Sequence, residues 1–528
     1  MRNSKLLVLV ALTMAARVGL SDEVKAQTGG LSIPPEALAS PYGIEYVLPG
    51  LNMHSTPATA AKYKDIGAHW VKFQDCPWRD WEPQPPTDGK HTYTWEKFDN
   101  YVRWWQEYGY QIQVHLKTIS PWAVQPPKGF FADNKDLMKK MAPFVSTPPK
   151  DEYWDDWGAL IHAVVERYDG DGVDDVPGLK YPILYYEMES EAQHTYWMGT
   201  IEEYGRILQI TYEEAKKACP DVKIILAGLN FGERAKDNPS EEEARRRVEE
   251  AAQAKPEVAD YLRHIYEFID KSLAMGKYYD IIEWHALGDY TEVPGTTAFI
   301  RRKLADLGFN KEIWVGDANS APEVGTLAAW FSKETYEGES GNINQILKTP
   351  THKKYAEVRK WYRREQASHT VKMLTVAIDS GCKRTFVGML EDWWWAPQPH
   401  HGLTENDGTP RPVFRAIQFM TGNLDDWQKE GRIQGEKGLY AFKFQFPDRD
   451  VYVVWYELNE NSLDLPEAEY PSLKYAMKVD NAKTQSAQIL TLDDVCADPK
   501  ATGKQQTIEE GTIRLDLDRY PIFVVTAK

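Results

Sequence analysis

The sequence predicts an α/β protein, a (β/α)₈ barrel followed by a C-terminal β-sandwich, and three observations carry that prediction. Short apolar runs and amphipathic helical stretches alternate eight times between about residues 41 and 390. No Gly-rich phosphate loop follows any of those runs, which argues against a doubly wound open sheet. Past about residue 430 the helical spacing stops, and six short strand-like runs separated by turn residues take over.

In order, the first strand is predicted at 43–47, a helix at 59–66 and the second strand at 69–73. A helix at 95–108 leads to the third strand, 111–116, and one at 155–168 to the fourth, which begins in the apolar run 181–184. Helix 201–219 precedes the fifth strand at 222–227, and a charge-rich helical stretch, 241–276, precedes the sixth at 279–284. Helix 297–307 leads to the seventh strand, 312–315, and helix 355–381 to the eighth, 384–390. The longest insertion, 321–354, follows the seventh strand and carries Trp330-Phe331, as a lid or cleft wall would. Sandwich strands are predicted at 439–446, 451–457, 473–479, 487–492, 511–517 and 522–525.

At the N-terminus, Arg2 and Lys5 precede the apolar run 6–16, and small residues stand at Ala16 and Ala26. This predicts a cleaved export signal at 1–26, hence a secreted or periplasmic protein with no membrane attachment after cleavage. The remaining boundaries are a loose lead-in at 27–40, the barrel at 41–430 and the sandwich at 431–528. The connection at 428–432 is short, so the sandwich is expected to pack against the barrel as a support. Four cysteines, Cys76, Cys219, Cys382 and Cys496, are scattered without a CxxC pair, which predicts no metal site.

The net charge of -17 over 528 residues argues against nucleic acid or an anionic membrane as partner. Aromatic residues reach 12%, with 19 Trp and 29 Tyr, flat rings of the kind sugar clefts use. A barrel builds its site at the carboxyl ends of its strands. Those ends offer Gln74, Asp75 and Trp78; Lys117, Ser120 and Trp122; Glu187, Glu189 and Glu191; Asn230; His285 and Tyr290; Asp317 and Asn319; Glu391, Asp392 and Trp393-Trp394-Trp395. The three carboxylates of the fourth strand fall at alternate positions and would share one side if the strand ran on. Carboxylates among aromatic rings, with no Ser-His-Asp order and no metal spacing, suit chemistry at a glycosidic bond.

Several short motifs also stand in a telling order. They are Gly67-Ala68-His69-Trp70-Val71-Lys72 with Trp78 and Trp81-Glu82-Pro83, then Gly89 and Trp95-Glu96-Lys97-Phe98-Asp99. Thr118-Ile119-Ser120-Pro121-Trp122-Ala123, Trp284-His285, Lys311-Glu312-Ile313-Trp314-Val315, and Gly402-Leu403 to Arg411-Pro412 around Asp407-Gly408 follow. The set resembles the clan A retaining (β/α)₈ glycosidases, and within them glycoside hydrolase family 39, the β-xylosidase and α-iduronidase group. The resemblance implies a hydrolase of O-glycosidic bonds in a polysaccharide or oligosaccharide, with a carbohydrate as its partner and no cofactor. It places Glu191 of Ser190-Glu191-Ala192 as acid/base, where the family carries Asn-Glu-Pro. It places Asp317 of Gly316-Asp317-Ala318-Asn319 as nucleophile or base, where the family carries Thr-Glu-x-Gly. Substrate contacts are expected from Trp78, Trp122, Glu189, Ser190, His285, Tyr290, Glu391, Trp393 and Trp394.

Asp is one methylene shorter than Glu, which sets its carboxylate back by roughly 1.5 Å, a displacement that can cost on the order of 100-fold in rate. Glu283 and Glu391 are therefore alternative second carboxylates, and a glycan-binding barrel that no longer hydrolyses is the alternative function. Glu191 is expected to be held protonated by burial or by the charge of Glu189 or Asp317.

Overall fold

The computed structural model describes residues 30–51, 56–128, 144–320, 346–392, 400–458, 470–479 and 485–528. The segment 1–26 expected to be an export signal, most of the insertion after the seventh strand, and Trp393 and Trp394 lie outside the described residues.

Eight parallel strands close into a barrel in chain order. They are β1 Tyr42–Val47, β2 Trp70–Pro77, β3 Gln111–Lys117, β4 Tyr185–Met188, β5 Lys223–Leu229, β6 Ile281–His285, β7 Glu312–Asn319 and β8 Arg384–Gly388. The last strand pairs back onto the first, Gly43 opposite Phe386. The eight predicted strands are present, with shifted ends. The fourth starts at Tyr185 because the run before it is used differently: Pro182 lacks an N–H, and the Ile183 N–H donates to the carbonyl of Tyr168 at the end of a helix, 2.7 Å away. The charge-rich stretch is two helices, Glu241–Ala254 and Ala259–Leu273, separated at Lys255-Pro256. Proline disfavours helical geometry at the residue before it.

The floor of the barrel is aromatic. Arg384 lays its guanidinium 3.6 Å from the ring centre of Trp70 and 4.5 Å from that of Trp314, and Tyr185 stacks on Trp314 at 5.3 Å. These side chains start β2, β4 and β8 or lie early in β7, so they seal the end opposite the strand termini where a site is built.

The C-terminal part adds β9 Lys429–Arg432, β10 Leu439–Gln445, β11 Arg449–Tyr456, β12 Leu473–Lys478, β13 Ser486–Thr491, β14 Lys504–Thr507, β15 Thr512–Leu517 and β16 Ile522–Ala527. Six of them form an antiparallel sheet in the order β14-β13-β16-β11-β10-β9, and β12 pairs with β15. One face of the larger sheet, including Phe442, Phe444, Val453, Trp455 and Phe523, joins the apolar cluster of the barrel. The other face, including Ala441, Tyr452, Val454 and Val524, packs on Met477, Ile513 and Leu515 of the strand pair. Two layers with alternating side chains make the sandwich. The strands β9 and β14, absent from the sequence reading, are the two edges of that sheet. Their sequences, KEGR and KQQT, are charged or polar and carry no buried alternation.

Candidate active site

Above the aromatic floor, the barrel interior is ionic. Lys72 projects from the middle of β2, fully buried, and pairs with Glu187 of β4 at 2.8 Å and with Glu283 of β6. Gln113 of β3 donates to Glu283 at 2.8 Å, and the backbone N–H of Gly228 donates to Glu187 at 3.1 Å. An ammonium removed from water this completely requires such partners. Burial works against its charge, but Glu187 and Glu283 outweigh that and hold Lys72 well above the ordinary lysine range. Burial likewise opposes ionisation of Glu283, yet Lys72 and His285 pull its carboxyl down to about 2. Glu187 is pushed up to about 7 by burial and by the charge of Glu283. Glu187, Glu283 and His285 bring three possible ligand atoms within 4.8 Å of one another. The Lys72 ammonium lies against both of those carboxylates, so the cationic role there is already filled.

The next layer faces the cleft. Glu191 and Asp317 keep 16% and 17% of their side chains exposed, while His285 between them keeps 2%. His285 Nδ1 is 2.9 Å from Glu191 Oε1 and 3.9 Å from Asp317 Oδ2. Those two distances confine the two carboxylate oxygens to within about 6.8 Å of each other. Tyr46, at the end of β1, donates its hydroxyl to Asp317 Oδ2 at 2.5 Å. Ser190 Oγ is 3.5 Å from His285 Nε2.

The backbone is strained around this group. Tyr46, Asp75, Glu189, Glu191 and Asp317 all adopt positive φ, at 74°, 51°, 58°, 46° and 43°. Each such residue costs on the order of 1–3 kcal/mol and persists only where the surrounding structure imposes it. The turns also correct the expectation that three carboxylates share one side. Strand β4 ends at Met188, and the left-handed turns at Glu189 and Glu191 send the carboxylates to separate partners. Glu187 points at Lys72 inside the barrel. Glu189 accepts from the Thr118 N–H at 3.0 Å, with Lys117 at 3.7 Å. Glu191 reaches His285.

The electrostatics reverse another expectation, that Glu191 is held protonated. Burial does act in that direction, but the hydrogen bond and charge of His285, with His194 and Lys72 farther off, carry Glu191 below the ordinary glutamate value. Asp317 moves the other way: burial raises it, and His285 and Tyr46 offset that only in part.

The structure brings Glu191, Asp317, His285 and Ser190 together, with Glu189 beside them. Other candidates among the described residues are bonded to different partners. Trp78 is fully buried, its indole N–H donating to Glu82 at 3.0 Å, and packs against Trp122 and Trp157. Trp122 is half-buried, edge-on to Tyr153 at 5.0 Å and bonded to the Glu82 carbonyl. Tyr290 is buried against the sandwich, donating to Glu457 at 2.6 Å and accepting from the Trp455 indole at 3.1 Å. Glu391 is tied to Lys62 at 2.6 Å, and Asp392 makes two bonds to Arg411, at 2.6 and 2.7 Å. Asn319 donates to the Leu287 carbonyl. Tyr46, Lys72 and Gln113 were missed. Tyr46 stands next to last in β1, inside an apolar run that reads as core. A lysine inside the apolar run Trp70-Val71-Lys72-Phe73 is itself a signal, because a buried ammonium demands carboxylates.

Residues 78–176 match the family model described as the catalytic domain of glycoside hydrolase 123. No curated protein matches the sequence. Among solved structures, a family 39 glycoside hydrolase from the gut symbiont Bacteroides cellulosilyticus superposes with a TM-score of 0.54 at 13% identity, covering 93% of this chain and 82% of that one. A family 39 enzyme from Xanthomonas axonopodis pv. citri gives 0.54 at 12% identity over 95% and 96% of the two chains. A family 30 endoxylanase from Clostridium papyrosolvens gives 0.51 at 11% identity over 96% and 98%. These likenesses show a shared fold. On the matched catalytic-domain segment, the protein is a glycosidase.

Proposed function

We propose that the protein is an exported glycosidase that cleaves O-glycosidic bonds with retention, Glu191 acting as general acid/base and Asp317 as nucleophile. The observation that carries this reading is that Glu191 and Asp317 share one buried imidazole at the mouth of the barrel, with their oxygens within about 6.8 Å. Retaining pairs stand about 5–5.5 Å apart and inverting pairs roughly 6.5–9.5 Å. A ceiling near the bottom of the inverting range favours direct attack by Asp317. Glu391 is tied to Lys62 and Glu283 to Lys72, which supports Asp317 over them as the second carboxylate. Asp317 would attack the anomeric carbon while Glu191 protonates the departing oxygen, and Glu191 would then activate the water that cleaves the glycosyl ester.

Export is inferred from Arg2, Lys5 and the apolar run that follows them. Recovery of the mature chain outside the cytoplasm, with its new N-terminus near residue 27, is the expected outcome.

The catalytic reading is tested with a panel of aryl glycosides, xylosides among them because structural neighbours are described as a β-xylosidase and an endoxylanase. The anomer first released is followed by NMR. Retained configuration, lost in Asp317→Asn, is expected. An inverted first product would make Asp317 a base. Glycan binding without any cleavage would make the barrel a binder.

A further inference from the structure

Two glycines make room for a second tier beneath the cleft. A Cβ placed on Gly228 of β5 would collide with His285 Nε2, and one on Gly316 of β7 would collide with the Glu283 carboxylate. In the space they leave, His285 is held between two carboxylates. Its Nδ1 is 2.9 Å from Glu191 Oε1, and its Nε2 is 3.8 Å from Glu283 Oε1. Glu283 is fixed in turn by Lys72 and by Gln113. The line Glu191, His285, Glu283, Lys72, Glu187 alternates acidic and basic side chains from the strand ends to the buried interior of the barrel.

We propose that His285 and Glu283 form a proton store for Glu191. The ring keeps on Nδ1 the proton that Glu191 hands to the leaving oxygen, and Glu283, locked by Lys72, holds that proton on the ring. This rests on the reading of Glu191 as the acid. Both are positioning residues, acting through Glu191.

The transfers balance. The Nδ1–H bond breaks as Glu191 Oε1 takes the proton. The new O–H turns toward the glycosidic oxygen and delivers its proton as the C–O bond breaks. The electron pair of that bond leaves with the oxygen, as an alcohol, while Asp317 bonds to the anomeric carbon. In the second half water bonds to that carbon, Asp317 departs as carboxylate, and the water's proton passes through Glu191 back to Nδ1.

The surroundings support a charged ring. Burial opposes it, but Glu191 and Glu283, with Asp317 at 3.9 Å, outweigh burial and carry His285 well above the ordinary range. Glu45 from β1 and Glu187 from β4 are also within electrostatic reach of the ring; Lys72 from β2 is paired with Glu283 behind it. His115 of β3 and His194, which also sense the ring, are themselves pulled down by burial, so they are neutral neighbours and not competing cations.

The test is ¹⁵N NMR of the imidazole nitrogens in the full chain, with His285 assigned by its loss in His285→Gln. In the wild type the ring is expected to stay doubly protonated well above the pH at which an ordinary histidine loses its proton. In Glu283→Gln, where Lys72 still has Glu187, the ring should deprotonate at least about one unit lower, a tenfold or greater shift in its proton affinity. The alkaline limb of kcat/KM for a glycoside with a poor leaving group should move down with it, and Glu283→Asp should restore both. A neutral wild-type ring at pH 7 overturns the proposal whether or not any glycoside is cleaved, and so decides it even if Glu283→Gln does not fold. An unmoved limb alongside a shifted ring also overturns it. A persistent imidazolium in a protein that cleaves nothing would bring down the reading of Glu191, and with it the delivery step, while upholding the pairing.

Discussion

Tyr46→Phe tests the assignment of Asp317 with the smallest change available. The phenol donates to Asp317 Oδ2 at 2.5 Å, and the substitution removes that donor while keeping the ring that fills the space. A hydrogen bond to a charged group contributes roughly 1.5–3 kcal/mol, so kcat/KM should fall about 10- to 150-fold. The pH dependence gives a second, signed readout. Burial already raises Asp317, and the Tyr46 hydrogen bond is one of the groups that hold it down. Without it Asp317 takes up a proton at higher pH. Attack requires the carboxylate, so the acidic limb of the profile should move upward and the loss should be greatest at low pH. The assay is kcat/KM against pH on an activated aryl glycoside, where protonation of the leaving group is not limiting, with thermal melting to show that the fold is retained. Full activity and an unmoved acidic limb would refute Asp317 as the nucleophile held by Tyr46.

Three other perturbations have definite expected outcomes. Glu191→Gln should slow glycosides with poor leaving groups by about 10²- to 10⁴-fold and activated aryl glycosides much less; equal losses would remove Glu191 as the acid. Asp317→Asn should be inactive and regain partial activity with azide, giving a glycosyl azide of configuration opposite to the substrate, because one displacement replaces two; full activity without azide would refute the role. Lys72→Met should destabilise the fold by roughly 3–5 kcal/mol in a urea titration, because it strands two buried carboxylates; a change under about 1 kcal/mol would mean that the pairing in the barrel interior is replaceable.

The barrel was legible because each strand is a short apolar run bracketed by turn residues, and each helix shows its own spacing. Those signals are local, and their repetition fixes the topology. The edges of the sandwich were not legible for the converse reason. Lys429–Arg432 and Lys504–Thr507 pair on one side only and bury almost nothing, so no hydrophobic pattern marks them. Trp78 and Tyr290 both follow a strand end, but Trp78 turns into an aromatic cluster and Tyr290 into the contact with the sandwich. An aromatic residue has the same sequence signature in a core as in a cleft. Only the neighbours it meets in the fold distinguish the two.

The carboxylates show a deeper limit. Period-two spacing assumes extended backbone, and Glu187, Glu189 and Glu191 satisfy it on paper. In the fold the extended geometry ends at Met188, and positive φ at Glu189 and Glu191 aims the three side chains at Lys72, at Lys117 with Thr118, and at His285. Nothing local favours those turns, since Glu has no particular tolerance for left-handed backbone. They are imposed by partners far away in sequence: the Glu189 N–H donates to Leu116 of β3, and the Glu191 N–H donates to Gly228 of β5. Three like charges that would repel on one face are thereby distributed among three basic partners. One remains in the dry interior, one is set beside the mouth, and one reaches the cleft, where a carboxylate can meet substrate. The same separation leaves His285 as the basic partner of Glu191, and its hydrogen bond and charge carry the Glu191 carboxyl below the ordinary glutamate value despite burial.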